Sequence, residues 1–519
     1  MNHTYALTTL GCKVNQYETQ QLRELMESCG LRPAPDGQQA DLAVVNTCSV
    51  TCSAAAKSRQ AIRRTARHRP STVVVVGCHA AADPTGVAAI PGVTAVLGHD
   101  DTLQRLRTII EDRFGSAAGD HGTGGRALET DRDSCLGADG NEESMIPVNR
   151  LDRRSHISAS HPAPHSIAGT GRDVNLMAAG PPVERGPSPE PVSIARAGAS
   201  GCVEAVADPE ADWPGIHAFA DRQRAFLKIQ DGCDAHCTYC IIPRLRPRLR
   251  STSIDQAVHE ARQLVDAGHR EIVLTGIFLG AFGRSTALRH RQERPGSPLA
   301  HLVDAVARVD GLERLRLSSL EPGDVDDALL EVMTRHDGCV PHLHLPLQSG
   351  SDRILRKMNR QYDADDFGNM IDRVRRAFDR PAITTDIIVG FPGETDDDFA
   401  DTCRAARASG FAKIHAFPFS PRPQTAAARW SRAFVAPSVA RRRMAELRHL
   451  ETTLADRYRA ELDGTIERVL IERIDPSTGL ARGRCDRYVE FCFDAPNHRP
   501  GDAVRVRITA RGTEAIHLQ

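Results

Sequence analysis

The sequence predicts an α/β fold in three parts: an N-terminal open parallel α/β domain, a partial (βα)6 barrel and a small C-terminal β-barrel. Two stretches, residues 1–114 and 216–435, alternate apolar strand runs with amphipathic helix patterns. Residues 463–519 instead carry short β runs broken by Gly and Pro turns, the pattern of a small closed sheet. Residues 115–215 are rich in Gly, Ser, Pro, Asp, Arg and His without sustained periodicity, and are read as a disordered insertion.

Residues 7–10 are the first strand candidate and run into Gly11 and Cys12. Leu22, Leu25, Met26 and Cys29 then recur at helical spacing up to Gly30, a stop signal. Residues 42–45 form a buried-strand run ending in Asn46, Thr47 and Cys48, and residues 51–68 a helix with a basic face of Lys57, Arg59, Arg63, Arg64 and Arg67. The third strand, 73–76, ends in Gly77 and Cys78. In the middle region strands are expected at 226–229, 271–275, 314–318, 342–346, 383–389 and 413–417. Helices are expected at 254–267, 324–335, 365–378 and 395–409. Six such units fall short of the eight of a closed TIM barrel, so an open three-quarter barrel is expected. A basic linking helix over 436–462, with Arg441, Arg442 and Arg443, precedes β runs at 467–474, 480–484, 488–493 and 503–508, which suit a five-stranded barrel.

The 519 residues leave room for several domains with real cores. A net charge of −1 and a pI near 7.1 exclude a globally basic nucleic-acid binder, so RNA contact must come from local patches. Arg244, Arg246, Arg248 and Arg250 form one, with no acid beside them in sequence, and are expected to neutralise phosphates. Fourteen cysteines in this length are too dilute for a disulfide scaffold. The first residues do not read as a signal peptide, and no apolar run approaches a bilayer span. The chain therefore reads as cytoplasmic and off the membrane, with its thiols reduced.

Cys233, Cys237 and Cys240 form a Cys-x3-Cys-x2-Cys set. Iron–sulfur clusters are usually held by four cysteines. Three therefore leave one iron of a [4Fe–4S] cluster open to a substrate or cofactor. Structural zinc wants four ligands; His236 could complete such a set, but no second pair follows at zinc spacing. Cys12, Cys48 and Cys78 each follow the C-terminal end of a predicted parallel strand by one to three residues. In open α/β sheets those ends share one edge, where ligands bind. These three, far apart in sequence, are expected to converge into a second three-thiolate site, or else to be three small buried residues. Cys52 is left outside the set.

These residues and their surroundings resemble the radical S-adenosylmethionine (SAM) methylthiotransferases. The resemblance covers nearly everything except 115–215. It rests on Leu10-Gly-Cys-Lys-Val-Asn-Gln-Tyr-Glu18, Asn46-Thr-Cys-Ser-Val50, Val76-Gly-Cys78, Val273-Leu-Thr-Gly276, Leu317-Ser-Ser-Leu-Glu-Pro322, His344-Leu-Pro-Leu-Gln-Ser-Gly-Ser351 and Asp386-Ile-Ile-Val-Gly-Phe-Pro-Gly-Glu394. It implies a methylthiotransferase domain, a radical SAM barrel and a TRAM-like RNA-binding tail. It also implies two [4Fe–4S] clusters and two SAM per turnover, one SAM giving the 5′-deoxyadenosyl radical. The implied partners are tRNA, a flavodoxin- or ferredoxin-like electron donor and a sulfur donor. The residues after Cys12 resemble the branch that methylthiolates C2 of N6-threonylcarbamoyladenosine at tRNA position 37. Isopentenyladenosine-37, a ribosomal-protein side chain, and a non-catalytic Fe–S RNA-binding role are the alternatives. Tyr239, Gly276, Glu321 and Gln348 are the implied SAM contacts, while Gly390, Pro392 and Gly393 shape a turn. Two positions depart from the family pattern: Arg246-Pro247 replaces Arg-Gly, and His79-Ala80 follows Cys78 in place of Ala-Gln.

Overall fold

The computed structural model describes residues 3–35, 37–99, 101–115, 213–220, 222–289, 296–509 and 515–517. Most of the expected insertion, 116–212 with Cys135 and Cys202, lies outside the described residues. Its last residues are described: Trp213 lies under the Lys228 ammonium, 4.4 Å from the ring centre, and Ile216 just beyond is fully buried.

The N-terminal region runs β1 (Thr4–Thr9), α1 (Lys13–Ser28), β2 (Arg32–Pro33), β3 (Leu42–Thr47), α2 (Cys52–Arg67), β4 (Thr72–Gly77), α3 (Cys78–Ala82), α4 (Pro84–Ala88), β5 (Ala95–Val96) and α5 (Thr102–Phe114). All five strands are parallel, in the order β2-β1-β3-β4-β5. The first strand ends one residue before the sequence reading placed it. Central β3 and β4 are buried at every position, which is why they read as unbroken apolar runs. Their alternate residues serve two cores. Val44, Val74 and Val76 pack with Leu22, Met26 and Leu106, whereas Val45, Val73 and Val75 pack with Ala61, Ile62 and Val87. Edge strands β2 and β5 have two residues each, too short to leave a periodic signal.

The middle region follows as β6 (Arg224–Asp231), α6 (Ile242–Leu245), β7 (Arg250–Ser251), α7 (Ile254–Asp266), β8 (Glu271–Gly276), α8 (Pro298–Ala307), β9 (Arg314–Leu317), α9 (Asp327–Arg335), β10 (His342–His344), α10 (Asp352–Met358), α11 (Ala364–Ala377), β11 (Ala382–Val389), α12 (Asp396–Ser409) and β12 (Lys413–Pro418). Six parallel strands, β6-β8-β9 and β10-β11-β12, are joined through single bridges between Leu315 and Cys339 and between Ser319 and His344. Among the described residues β12 does not pair with β6, so the expected open barrel is present, with β7 added antiparallel on the β6 edge. Capping is written into the helix starts. Ser253, Ser297, Asp326, Ser351, Asp363 and Thr395 each accept a backbone N–H from the first turn.

Helix α13 (Pro437–Glu461) leads to an antiparallel sheet of β13 (Ile466–Ile474), β14 (Leu480–Cys485), β15 (Glu490–Asp494), β16 (Ala503–Ile508) and β17 (Ala515–His517). Its order is β15-β14-β13-β16-β17, and the two edge strands come near each other as the sheet curls. This sheet closes the N-terminal end of the barrel. Tyr488 stacks on His342 with ring centres 4.8 Å apart, and the Arg316 guanidinium lies 4.9 Å from the Tyr488 ring centre. Arg314 and Arg316 both clasp buried Glu271, at 2.8 and 2.9 Å. Against the burial that would raise it, these cations hold the Glu271 carboxyl down to about 2. The opposite, C-terminal end of the barrel is left for chemistry.

Candidate functional site

Cys12 follows β1 by three residues, and Cys48 and Cys78 follow β3 and β4 directly. The parallel register brings them together as expected. Asn15, one turn into α1, is the hub. Its amide donates to the Leu10 and Thr47 carbonyls, each at 2.9 Å. Its Oδ1 faces Cys12 Sγ at 3.6 Å and Cys78 Sγ at 4.0 Å. Asn46 locks the hub from the next strand, donating to the Asn15 carbonyl at 2.9 Å and to Thr19 Oγ1 at 3.1 Å. Gly77 is required at the end of β4. Its φ is +88°, and a Cβ there would lie 2.2 Å from Asn46 Oδ1. Burial pushes the Cys48 thiol up to about 11 and the Cys78 thiol higher still, so both are neutral until a metal takes the proton's place. Cys12 is exposed. Cys52 is tied elsewhere: its N–H donates to Ser420 Oγ at 2.8 Å and its thiol to the Pro421 carbonyl at 3.2 Å.

Cys233, Cys237 and Cys240 lie on the loop after β6, at the C-terminal end of the barrel. Gly232 makes that loop possible. Its φ is +83°, and a Cβ would sit 1.8 Å from the Arg248 carbonyl oxygen. Burial raises all three thiols, Cys240 to about 12. Arg360, from the loop after α10, reaches this triad. It donates to Cys237 Sγ at 3.1 Å, lies 3.5 Å from the Tyr239 hydroxyl and pairs with Glu321. A cavity of about 480 Å³ opens beside it, lined by His236, Arg289 and Gln361 among others, within the range of small-molecule sites. Neither triad, nor the Cys233 set with His236, brings its ligand atoms within 4.8 Å of one another; among the described residues only His344, Asp386 and His415 do so. Structural zinc wants four ligands, whereas three thiols gathered at each site suit a cluster with an open iron.

Of the implied SAM contacts, Tyr239 and Glu321 meet around Arg360. Gly276 ends β8 against Gln230, whose side chain braces the Cys233 loop by donating to the Asp231 and Gly232 carbonyls at 2.9 and 2.7 Å. Gln348, with φ +60°, donates its backbone N–H to the Asp386 carbonyl on β11 at 2.8 Å.

The basic run after the cysteines needs correction. Arg246 is buried, and its guanidinium meets Asp231 and Glu18, each at 2.8 Å, while its carbonyl accepts from the Cys233 N–H at 3.0 Å. Arg250 lies 3.7 Å from Asp231. The acids absent from the local sequence arrive from β6 and from α1, so Arg246 joins the two cysteine sites instead of facing solvent. Its charge also bears on Cys78. Arg244 and Arg248 remain exposed. Arg443 on α13 is likewise buried, against Glu394 at 2.6 Å. Of the two departures from pattern, Pro247 is exposed between α6 and β7. His79 is buried beside Cys78 with both ring nitrogens unpartnered; burial, then the Arg59 charge, lowers its basicity. The sequence reading missed Asn15, Glu18, Asp231 and Arg360 as site residues. Asn15 had a signal, sitting one helical turn after Cys12.

No helix among the described residues is long and apolar enough to cross a membrane. The Radical SAM superfamily profile matches residues 227–406, and that of Uncharacterized protein family UPF0004 matches residues 4–98. The threonylcarbamoyladenosine tRNA methylthiotransferase MtaB of Bacillus subtilis (strain 168) is 33% identical, covering 98% of this chain and 94% of the relative. The MtaB of Thermotoga maritima is 30% identical over 99% of this chain and 96% of its own. A tRNA-2-methylthio-N(6)-dimethylallyladenosine synthase of Parafrankia sp. is also 33% identical, over 98% and 87%.

Proposed function

The chain belongs to the radical SAM methylthiotransferase family, and from that premise we propose that it adds a methylthio group to C2 of N6-threonylcarbamoyladenosine at position 37 of tRNA. It uses SAM and a [4Fe–4S] cluster. The observation that carries the reading is the pair of cysteine triads, each at the C-terminal ends of parallel strands and linked by buried Arg246.

Cys233, Cys237 and Cys240 would hold the first cluster, and Cys12, Cys48 and Cys78 a second. The C2–H bond is neither acidic nor electrophilic, so the bound groups supply the hard step, radical removal of that hydrogen with SAM and delivery of a methylated sulfur, at two SAM per turnover. The chain's own residues hold, orient and seal. Arg360 places a fixed cation against Cys237, Tyr239 and Glu321 at the open end of the barrel. Asn15 and Asn46 hold Cys12, Cys48 and Cys78 in one register. The Ser420 and Arg422 contacts to Cys52 and Ser49, at 2.8 and 2.7 Å, tie the second site to the segment after β12. Exposed Arg244, Arg248, Lys57, Arg63, Arg64 and Arg67 offer phosphate contacts on this side, with the curled C-terminal sheet as a further RNA-binding part. An electron donor of flavodoxin or ferredoxin type and a sulfur donor complete the cycle in the cytoplasm.

Mass spectrometry of tRNA nucleosides from a strain lacking this chain tests the reading. Loss of 2-methylthio-N6-threonylcarbamoyladenosine, restored by the wild-type gene, is expected. An unchanged level, in a strain with no second such enzyme, refutes it.

A further inference from the structure

Arg360 enters the Cys233 site almost wholly buried, and each of its three guanidinium nitrogens is engaged. Nη1 donates to Cys237 Sγ at 3.1 Å, Nε donates to the Tyr362 hydroxyl at 3.2 Å, and Nη2 pairs with Glu321 Oε1. Tyr362 is fixed in turn, its hydroxyl donating to the Pro346 carbonyl at 2.7 Å. The backbone stitches the same segment to the cysteine loop. The Met358 carbonyl accepts from the Thr238 N–H at 3.0 Å, and the Lys357 carbonyl from the Thr238 hydroxyl at 2.8 Å. Asn359, at φ +60°, donates its side-chain amide to the His236 carbonyl at 3.2 Å. The effect of these anchors is to keep a positive charge against one sulfur.

Reducing a [4Fe–4S] cluster adds one negative charge to the site. A nearby cation and an N–H···S bond both favour the reduced form, and net charge and hydrogen bonds to sulfur are levers by which proteins set cluster potentials. Glu321 works the opposite way. Its second oxygen, Oε2, makes no hydrogen bond and lies 3.6 Å from Arg289, which is engaged at 3.1 Å with Asp324. Arg360 is therefore the chief answer to the Glu321 charge. Its removal acts twice in one direction: the sulfur loses its donor, and a buried carboxylate one guanidinium away is left uncompensated.

We infer that Arg360 sets the reduction potential of the cluster held by Cys233, Cys237 and Cys240, raising it toward the reach of an electron donor, with Glu321 as the counterweight that limits the rise. This rests on the functional reading for the presence of the cluster and adds to it a control of electron entry. Arg360 is a positioning residue in this role, acting through the Cys237 sulfur.

Reductive titration of anaerobically reconstituted holoenzyme, followed by electron paramagnetic resonance, tests this. The midpoint read is that of the [4Fe–4S] signal that changes when SAM is added. Iron content and the Kd for SAM are taken on the same samples. Arg360→Met is expected to move that midpoint to more negative potential, by on the order of tenfold in the one-electron equilibrium, about 59 mV. Arg360→Lys, which keeps the charge without the fixed fork, recovers part of it. Glu321→Gln moves the midpoint the other way, an opposition of sign that a merely structural role does not produce. An unchanged midpoint in Arg360→Met overturns the inference, and weaker SAM binding alongside it would make the guanidinium a SAM contact instead. If Arg360→Met fails to hold iron, Glu321→Gln decides, and a midpoint that stays or falls there overturns the inference. If wild type gives no SAM-sensitive signal, the functional reading itself falls.

Discussion

Arg246 shows what a single buried charge does in this molecule. Its guanidinium is shared between Asp231 of the barrel and Glu18 of α1, and its backbone carbonyl holds the Cys233 amide. Asp231 is held far below the usual carboxylate range; its burial opposes this, and the Arg246 and Lys228 charges outweigh it. Removing one partner of such a set leaves the others as uncompensated buried charges. Lys228, 3.2 Å from Asp231 and 3.6 Å from Glu18, offsets part of the loss. Arg246→Ala is therefore expected to destabilise by about 3 kcal/mol, the low end for a broken buried pair, read as a lower urea midpoint. Arg246→Lys should lose less, since it keeps the charge and forfeits only the two-pronged geometry.

At the scale of elements, α1 is the strap that holds the N-terminal sheet on the barrel. It packs on β6, and Tyr17 sends its hydroxyl to Glu260 Oε1 on α7 at 2.8 Å. Glu260 also accepts from the Ile216 amide at 3.2 Å, and burial, outweighing these hydrogen bonds and the Lys228 charge, raises its carboxyl to about 7. For a carboxyl raised on folding, the stabilising contribution is complete below the ordinary value of 4.5 and lost as pH rises through about 7. The strap should therefore loosen between about pH 5 and 8. Glu260→Gln keeps the acceptor and removes the buried charge. Its Tm should exceed that of wild type at about pH 8, by an effect on the order of 1–3 kcal/mol, and match it near pH 5. A wild-type Tm that does not fall relative to Glu260→Gln over this range would count against the role of Glu260.

The whole molecule is two parallel-strand cysteine sites locked together by side chains far apart in sequence, and that division marks what could be read beforehand. Cys233, Cys237 and Cys240 are local, so spacing alone revealed them. Cys12, Cys48 and Cys78 were legible one step later, because parallel strands end on one edge. Arg246 was misread because Glu18 lies 228 residues away and Asp231 15 residues away, on β6 before the cysteine loop. The burial of Arg443 was equally hidden, its partner Glu394 being 49 residues away. Arg360 stands 123 residues from Cys237, with nothing in its own segment to announce a thiol. Side-chain pairing over such distances belongs to the folded barrel, not to any window of sequence. The most direct test of the two-site account is iron and sulfide analysis of anaerobically reconstituted wild type and of two variants. One carries Cys12, Cys48 and Cys78 changed to Ala, and the other Cys233, Cys237 and Cys240. About eight irons per chain are expected in wild type and about four in each variant. About four in wild type, unchanged when Cys12, Cys48 and Cys78 are removed, would contradict it.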